Sequence, residues 1–349
     1  MALLALLMIG PVFGQEVRVR AAERVAMPTP VDSNSPAFWR DGRLNWFGSA
    51  GRPVLSEGAS QFGPWETSEV EFFALEQRPH WMESVWVDDD GTLYGWYHCE
   101  PVGLMENSTL TAPKIGAVVS FDGGKTIYDL GVVLESGDPL DPEAKNGYFA
   151  GGHGDFSVIP DRERGYFYFF FDNYGGPAER QGVAVARMAY EDLIDPVGKV
   201  RKFHDGAWDE PGLGGLVTPI LPVKRAWQRR DPDAFWGPAI HWNTHLGSYV
   251  MLLNRAAGTP GWAQEGVYVS FATDLARPDT WAAPAKILDK AEFPGWYFFY
   301  PQVMGLEPGE TDTVAGRTAR LYVGGISKWE IEFVGKTPEP DYTGKRVKR

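Results

Sequence analysis

Short runs of alternating apolar and polar residues, separated by polar or glycine-containing turns, recur along this chain. Residues 153–174, HGDFSVIPDRERGYFYFFFDNY, contain an alternating run, a charged turn and a dense aromatic run. Alternation with a period of two is typical of β-strands, and two such runs around a short turn predict a β-hairpin. The same order returns in four further segments, at residues 32–48, 80–98, 234–253 and 296–323.

Second hairpins follow several of these segments, at residues 115–135, 182–193 and 265–288. Two hairpins make one four-stranded sheet, and five such sheets account for about 300 residues. The sequence therefore predicts an all-β fold, a five-bladed β-propeller of four-stranded antiparallel blades. A two-sheet sandwich is the alternative, which five repeats disfavour. The uneven repeat spacing predicts loop insertions at 57–79, 136–152 and 196–232.

The two ends of the chain depart from this pattern. Residues 1–14, MALLALLMIGPVFG, resemble a secretory signal peptide that lacks its usual basic n-region. This lack suggests that the given sequence starts inside the signal peptide or at a wrongly assigned start. This run is too short to span a membrane, and no other segment is a candidate span. We expect one propeller domain over residues 28–335 and a basic, disordered tail over 336–349.

Composition narrows the classes of function and location. The 41 glycines and 27 prolines fit a fold with many turns, and a net charge of −13 disfavours a nucleic-acid partner. One cysteine, Cys99, excludes an intrachain disulfide framework. Export without disulfides fits a secreted or periplasmic bacterial protein. The sequence leaves the oligomeric state open.

The hairpins resemble those of five-bladed propeller glycosidases, in glycoside hydrolase families 43 and 32 and their relatives. The resemblance covers roughly residues 28–330 and consists in the predicted fold and in the order and spacing of the hairpins. The segments that carry it are DSNSPAFWRDGRLNWFGS (32–49), WGPAIHWN (236–243) and GVYVSFATDLARPDTWAAPAKIL (266–288). A smaller resemblance is SFDGGKTI (120–127), which is similar to the Asp-box of sialidases, a structural turn that Asp122 would cap.

The first resemblance implies one carboxylate near the start of the innermost strand in several blades. It implies that Asp32 in the first blade is the base or nucleophile and that Asp155 in the third blade tunes pKa values and orients the substrate. The fourth-blade general acid of such enzymes is a Glu, but this chain has Trp236 at that position.

Another residue must therefore supply the acid if the protein is an enzyme. Glu83 lies in HWMESVW, and its apolar neighbours would raise its pKa, as a general acid requires. We predict Glu83 as the acid. Glu265 is the runner-up, and Asp231 and Asp233 are further candidates.

Aromatic and histidine side chains near the inner strands are candidates for sugar contacts, because flat ring faces suit the CH faces of a pyranose. Each of them could equally be blade core or a structural histidine. The predicted substrate-binding residues are Asn34, Trp81, His98, His153, Trp236, His241 and Tyr300, with Trp96 as a further stacking candidate. No metal-ligand spacing occurs. We predict no cofactor, although the resemblance allows a hub cation such as calcium.

Together these features predict an exported glycosidase, an O-glycosyl hydrolase that cleaves a poly- or oligosaccharide by carboxylate acid/base catalysis in the central funnel of the propeller. The alternative is a non-catalytic glycan-binding propeller that lacks the fourth-blade acid. A protein-interaction propeller ranks last, because it does not need converging carboxylates.

Overall fold

A computed structural model describes residues 15–75, 79–106, 108–161, 163, 165–258, 262–293 and 299–335. The strands of this part of the chain form five small sheets arranged as a five-bladed β-propeller, as predicted. The predicted leader, 1–14, and tail, 336–349, lie outside the described residues. No helix in the described part is long and apolar enough to cross a membrane.

The first strand and the strands of blades 1 and 2 follow one another along the chain. They are β1 (Glu16–Ala26), β2 (Ala37–Arg40), β3 (Arg43–Ser49), β4 (Pro53–Gly58), β5 (Trp65–Glu69), β6 (Glu71–Phe73), β7 (His80–Val87), β8 (Leu93–Cys99), β9 (Lys114–Ser120) and β10 (Thr126–Leu134). Blade 1 has the order β2-β3-β4-β5. Blade 2 has the order β7-β8-β9-β10, with β6 parallel to β10 at its outer edge.

Blades 3 to 5 use the remaining strands. They are β11 (His153–Asp161), β12 (Tyr166–Asn173), β13 (Gly182–Ala189), β14 (Arg201–His204), β15 (Ala207–Pro211), β16 (Leu221–Pro222), β17 (Asp233–Asn243), β18 (Ser248–Ala257), β19 (Gln264–Ala272), β20 (Ala285–Asp289), β21 (Gln302–Gly305), β22 (Val314–Ala315), β23 (Thr318–Val323) and β24 (Ile326–Val334). Helical structure in the described residues is limited to one-turn 3-10 segments at Ala178–Arg180, Tyr190–Asp192, Pro278–Thr280 and Lys290–Glu292.

Two of the predicted loop insertions contain strands. Segment 57–79 holds β5 and β6, and segment 196–232 holds β14, β15 and β16, so these segments complete blades. The sequence pattern missed them because outer strands are largely exposed and polar, as in WETSE of β5. Segment 136–152 is a loop, as predicted.

The propeller ring is closed by a strand from the start of the chain. Strand β1 pairs antiparallel with β24, from Glu16 opposite Val334 to Ala26 opposite Ile326, and completes the order β21-β23-β24-β1 of blade 5. The predicted domain start at residue 28 leaves this strand out. Its side chains are mostly exposed, so its sequence lacks a clear buried face.

The aromatic hairpin at 153–174 is apolar on both faces because blade 3 lies between two other blades. On β12, Phe167, Phe169 and Phe171 pack with blade 2, whereas Tyr168 and Phe170 pack with blade 4. Successive side chains of a strand point to opposite faces, so both sets of positions must be apolar here. The hairpin is therefore ordinary core of the propeller.

The Asp-box segment is a structural turn, as its resemblance implied. Asp122 accepts hydrogen bonds from the Ser120 hydroxyl and the Thr126 backbone N–H, both at 2.9 Å. Ser120 in turn accepts one from the Gly124 N–H at 2.8 Å. These bonds hold the turn between β9 and β10, far along blade 2 from its inner strand.

The first strands of the blades, β2, β7, β11, β17 and β21, are the inner strands and approach one another around the axis. Polar side chains of one blade bond to the backbone of another. Ser84 accepts a hydrogen bond from the Val158 N–H at 2.8 Å, and Ser157 accepts one from the Ile240 N–H at 3.2 Å. The blades are thus tied together at the centre by side chain–backbone bonds.

Asn34 is the most connected of these ties. It is buried, and its amide nitrogen donates to the backbone carbonyl of Phe156 at 2.8 Å and of Pro238 at 2.9 Å. Next to it, the Gln302 amide bonds to both backbone groups of Ser35, at 2.8 and 2.9 Å. Asn34 therefore joins blades 1, 3 and 4, and both of its amide protons are already used.

We expect Asn34→Ala to destabilise the protein by about 1–3 kcal/mol, because it leaves buried carbonyl groups without a donor. Urea unfolding followed by tryptophan fluorescence measures the effect. Thr67→Ala is the control, since it removes a 2.8 Å bond to Ser56 at an exposed outer strand and should cost less than about 1 kcal/mol. Equal losses for the two variants would contradict the structural role of Asn34.

Candidate active site

Three inner strands are irregular at equivalent places. The register shifts between Met82 and Ser84 on β7, between Gly154 and Phe156 on β11, and between Trp236 and Ala239 on β17. A β-bulge inserts a residue that leaves the regular pleat and redirects its side chain. The displaced residues are Glu83, Asp155 and the pair Gly237-Pro238.

Two of these bulges place a residue in the left-handed region of the backbone map. The φ angle is 42° at Asp155 and 60° at Gly237. Glycine adopts this conformation freely, whereas a residue with a side chain is strained by it, and such strain is concentrated at functional sites. The geometry at Asp155 therefore marks this carboxylate as a candidate site residue.

A pocket of about 230 Å³ opens at the place where these strands meet. Three carboxylates and one histidine share it with seven aromatic side chains. The lining residues are Asp32, Trp81, His98, Glu100, Tyr148, Phe149, Asp155, Trp236, Trp262, Phe299 and Tyr300. Acids surrounded by flat apolar rings are groups that can bind a sugar and act on a glycosidic bond.

Asp155 is the best-fixed acid of the pocket. It is buried and accepts hydrogen bonds from the hydroxyl groups of Tyr174 and Tyr300. Burial raises the pKa of Asp155, while the positive charge of His98 and the two hydroxyls oppose the rise. Burial and the charge of Asp155 raise the pKa of both tyrosines well above 10, so they remain donors.

Asp32 is the more accessible acid of the pocket. Partial burial raises its pKa, and the negative charge of Asp155 raises it further, while His98 lowers it. The two carboxylates therefore interact electrostatically across the pocket. Each negative charge makes ionisation of the other carboxyl less favourable, which is one of the ways in which acid/base sites shift the pKa values of their groups.

Glu83 lies beneath the pocket and does not line it. Its side chain is fully buried, bonded to the His98 Nδ1 and to the Phe156 backbone N–H, the latter at 2.9 Å. Burial raises the pKa of Glu83 to about 7, against the lowering effect of His98. The direction agrees with the apolar surroundings seen in the sequence, but Glu83 reaches the pocket only through His98.

His98 connects Glu83 to the pocket. Its ring stacks on Trp81, with centroids 4.7 Å apart and planes 15° apart, and its Nε2 lies 3.7 Å from the Glu100 carboxylate. Burial alone would lower the pKa of His98, but the negative charges of Glu83, Glu100 and Asp155 raise it well above 6.5. These neighbours favour the imidazolium form of His98 over the neutral ring.

The structure places other predicted residues away from the pocket. His153 packs on Phe171, and burial lowers the pKa of its ring well below 6.5. His241 packs on Phe333, with a pKa that burial lowers to about 3. Trp96 is in the core between blades 2 and 3. These side chains point between blades, whereas the bulged residues point towards the axis.

The alternative acids named from the sequence are also outside the pocket lining. Glu265 pairs with Lys286, and Asp233 pairs with Arg255 at 2.9 Å. Asp231 pairs with Arg229, also at 2.9 Å. Each of the three acids is therefore engaged by a cation.

Several pocket residues were not predicted. Glu100 directly follows β8, and Tyr148, Phe149, Trp262 and Phe299 come from loops without a periodic pattern.

A further acid that was not predicted, Asp172, is fully buried on β12 behind the pocket and accepts a hydrogen bond from the Gly237 backbone N–H at 2.8 Å. Burial and the charge of Asp155 raise the pKa of Asp172 well above 3.8. In the sequence, Asp172 is marked only as the acid that ends the aromatic run of FYFFFDNY, residues 167–174.

Comparison with known proteins supports the fold. No protein-family model matches the chain, and no curated protein matches it. Among solved structures, a "putative exo-beta-1,3-galactanase" from Bifidobacterium bifidum s17 is 13% identical, with a TM-score of 0.51, covering 92% of this chain and 99% of that one. An exo-1,5-alpha-L-arabinanase from a bovine ruminal metagenomic library is 11% identical, with a TM-score of 0.51, covering 87% and 94%.

These similarities show that the chain has the five-bladed propeller fold of solved glycosidases. The fold resemblance stated from the sequence is thereby confirmed. At such low identity the similarity establishes the fold alone, and the chemistry must be argued from the pocket.

The Glu83–His98 pair predicts how stability depends on pH. Both groups bind a proton more tightly in the folded protein than in the unfolded chain, so their contribution is complete below about pH 4.5 and is lost as the pH rises through 7 and through the raised pKa of His98. Glu83→Gln should therefore flatten the fall of the unfolding free energy between pH 5 and 8. One proton corresponds to about 1.4 kcal/mol per pH unit.

Urea unfolding at pH 5, 6, 7 and 8 measures this slope. Glu143→Gln is the matched control, because this carboxyl lies on the surface beside Lys145. The same slope in wild type and Glu83→Gln would show that the pair does not take up protons on folding.

Proposed function

We propose that the protein is a glycoside hydrolase that cleaves a poly- or oligosaccharide in the central pocket of the propeller. The observation that carries this proposal is the convergence of Asp32, Glu100 and Asp155 in one aromatic-walled pocket. Glycoside hydrolysis needs two carboxyl groups beside the scissile bond, one of them with a raised pKa. An acidic, aromatic funnel suits a neutral sugar and disfavours an anionic one.

The size of the pocket indicates how much sugar it holds. Pockets for drug-sized ligands occupy roughly 300–1,000 Å³, whereas this one is about 230 Å³. It therefore accommodates about one ring, between walls that include Trp81 and Trp236. We propose that the enzyme acts on the end of a glycan and releases a terminal sugar.

The proposed roles follow the positions of the acids. Asp32 is accessible and acts as base or nucleophile. Asp155, fixed by two tyrosine hydroxyls, orients the sugar and shifts the pKa values of its neighbours. Glu83 belongs to the acid function together with His98, which separates it from the pocket. Export to the periplasm or the cell exterior, based on residues 1–14, also remains a proposal.

One observation favours a second function. Trp236, which the sequence resemblance aligns with the fourth-blade acid, is 3% exposed. Its indole N–H donates to Gln264 at 3.1 Å, and its ring contacts Trp262 and Tyr300 edge-on. Among the described residues, blade 4 therefore contributes an aromatic wall and no carboxylate to the lining. A glycan-binding propeller without turnover would have this arrangement.

A product assay decides between the two functions. Residues 15–349 are incubated with arabinan, xylan, fructan, galactan and algal oligosaccharides, and released sugars are read by mass spectrometry. We expect the wild type to release a monosaccharide from one of them, and Asp32→Asn and Asp155→Asn each to lower the rate by about 10²-fold or more, since each removes a carboxylate next to the reacting sugar.

Glu265→Gln is the control, because this acid is paired with Lys286 outside the pocket and its loss should leave turnover near the wild-type rate. No product from any glycan, combined with a glycan-dependent rise of the melting temperature, would favour the binding propeller. Full activity of Asp32→Asn and Asp155→Asn would place the reaction elsewhere.

A further inference from the structure

We propose that His98 is the catalytic proton donor of this site and that Glu83 is the positioning residue that holds its other ring nitrogen. This inference rests on the proposed glycosidase function and deepens it. The donor would then come from the second blade, whereas the sequence resemblance would place it in the fourth blade, at Trp236.

His98 is held at Nδ1 and on one face of its ring. Its Nδ1 bonds to the buried Glu83 carboxylate, and one face of its ring is covered by Trp81. The remaining nitrogen, Nε2, lies on the side of the pocket, 3.7 Å from the Glu100 carboxylate. Glu83 is in turn fixed by the Phe156 backbone N–H at 2.9 Å, so the ring has little freedom to rotate.

The other acids are less suited to deliver the proton. Glu83 is shielded by His98, and Asp172 is fully buried with one oxygen on the Gly237 N–H. Asp155 accepts hydrogen bonds from two tyrosine hydroxyls, which favour its ionised form. His98 lines the pocket in a fixed orientation, with its Nε2 next to the Glu100 carboxylate, which also lines it.

The charged groups around His98 all favour its cationic form. Glu83 faces it from β7, Glu100 from the end of β8, Asp155 from β11 and Asp32 from the segment before β2. An imidazolium ion surrounded by carboxylates is a weaker acid than a free one. It nevertheless gives up its proton to an oxygen that gains negative charge as a glycosidic bond breaks.

The step balances as follows. Asp32 takes a proton from water, the water oxygen bonds to the anomeric carbon, and the bond from that carbon to the glycosidic oxygen breaks. The bonding electrons leave with that oxygen, which takes the proton from His98 Nε2 and departs as an alcohol. Afterwards His98 regains a proton from solvent and Asp32 releases one, so the net reaction consumes one water.

Leaving-group dependence tests the donor directly. A dinitrophenolate ion can leave without taking up a proton. The hydroxyl oxygen of a sugar leaving group must take up a proton as the bond breaks. We expect His98→Asn to lower kcat/KM on the cleaved oligosaccharide by about 10²–10⁴-fold. On the 2,4-dinitrophenyl glycosides of arabinose, xylose and galactose, the loss for the accepted sugar should stay below about tenfold.

Asp32→Asn is the matched control, because the base is needed with either leaving group and both rates should fall. Equal losses on the two substrates for His98→Asn, or no loss on the oligosaccharide, would overturn the assignment of His98. A wild type that is inert on every substrate would instead overturn the proposed function on which it rests.

A second measurement does not depend on how well His98→Asn folds. Glu83→Gln keeps a hydrogen-bonding side chain but removes the negative charge that raises the pKa of His98. The alkaline limb of the pH profile of kcat/KM should therefore move to lower pH by one unit or more. The ¹³Cε1 signal of the His98 ring, followed by NMR, should titrate above pH 6.5 in the wild type and shift down equally in the variant. An unchanged limb, or a ring already neutral at pH 6.5 in the wild type, would contradict the role of Glu83.

Discussion

The inner edges of the blades set the constraint on which the rest of this propeller depends. The inner strands converge on the axis, and their backbone groups must find partners there, since an unpaired buried N–H or C=O is costly. Side chains of other blades provide them: Ser84 for Val158, Ser157 for Ile240, and Asn34 for two carbonyls. The hub is thus a network of polar side chains and backbone groups that joins the blades.

The candidate site is built from the same network. Glu83 accepts the Phe156 N–H, and Asp172 accepts the Gly237 N–H, so two buried carboxylates hold backbone and also charge the site. Bulges at Glu83, Asp155 and Gly237 bring these groups towards the axis. Crowding and burial then raise the pKa values of Asp32, Glu83 and Asp155 together. The same buried carboxylates thus hold the inner strands together and charge the candidate site.

The fold was predictable because alternation and turn chemistry are local signals that repeat. The sequence did not predict strand β1 or the outer strands β5, β14 and β15, because largely exposed strands lack the alternating apolar positions of a buried face. Of the site, the sequence pointed to Asp32, Trp81, His98, Asp155, Trp236 and Tyr300, all of which line the pocket. Glu100 and the loop aromatics carry no periodic signal.

The bulges explain why counting along a strand fails at the site itself. His153 and Asp155 are two residues apart and would share a face in a regular strand. The bulge at Asp155 breaks that relation, so His153 packs on Phe171 while Asp155 lines the pocket. The alternation of apolar and polar residues along β11 does not mark the position of the bulge, so the sequence pattern does not predict it.

The central claim is that the carboxylates at the axis hold a sugar. A crystal structure of the Asp155→Asn variant soaked with a galactan, arabinan or xylan oligosaccharide tests it most directly. The account predicts one sugar ring in the pocket between Trp81 and Trp236, with its glycosidic oxygen within hydrogen-bond distance, about 3 Å, of His98 Nε2. A glycan bound on another face of the propeller, with the pocket empty, would contradict it.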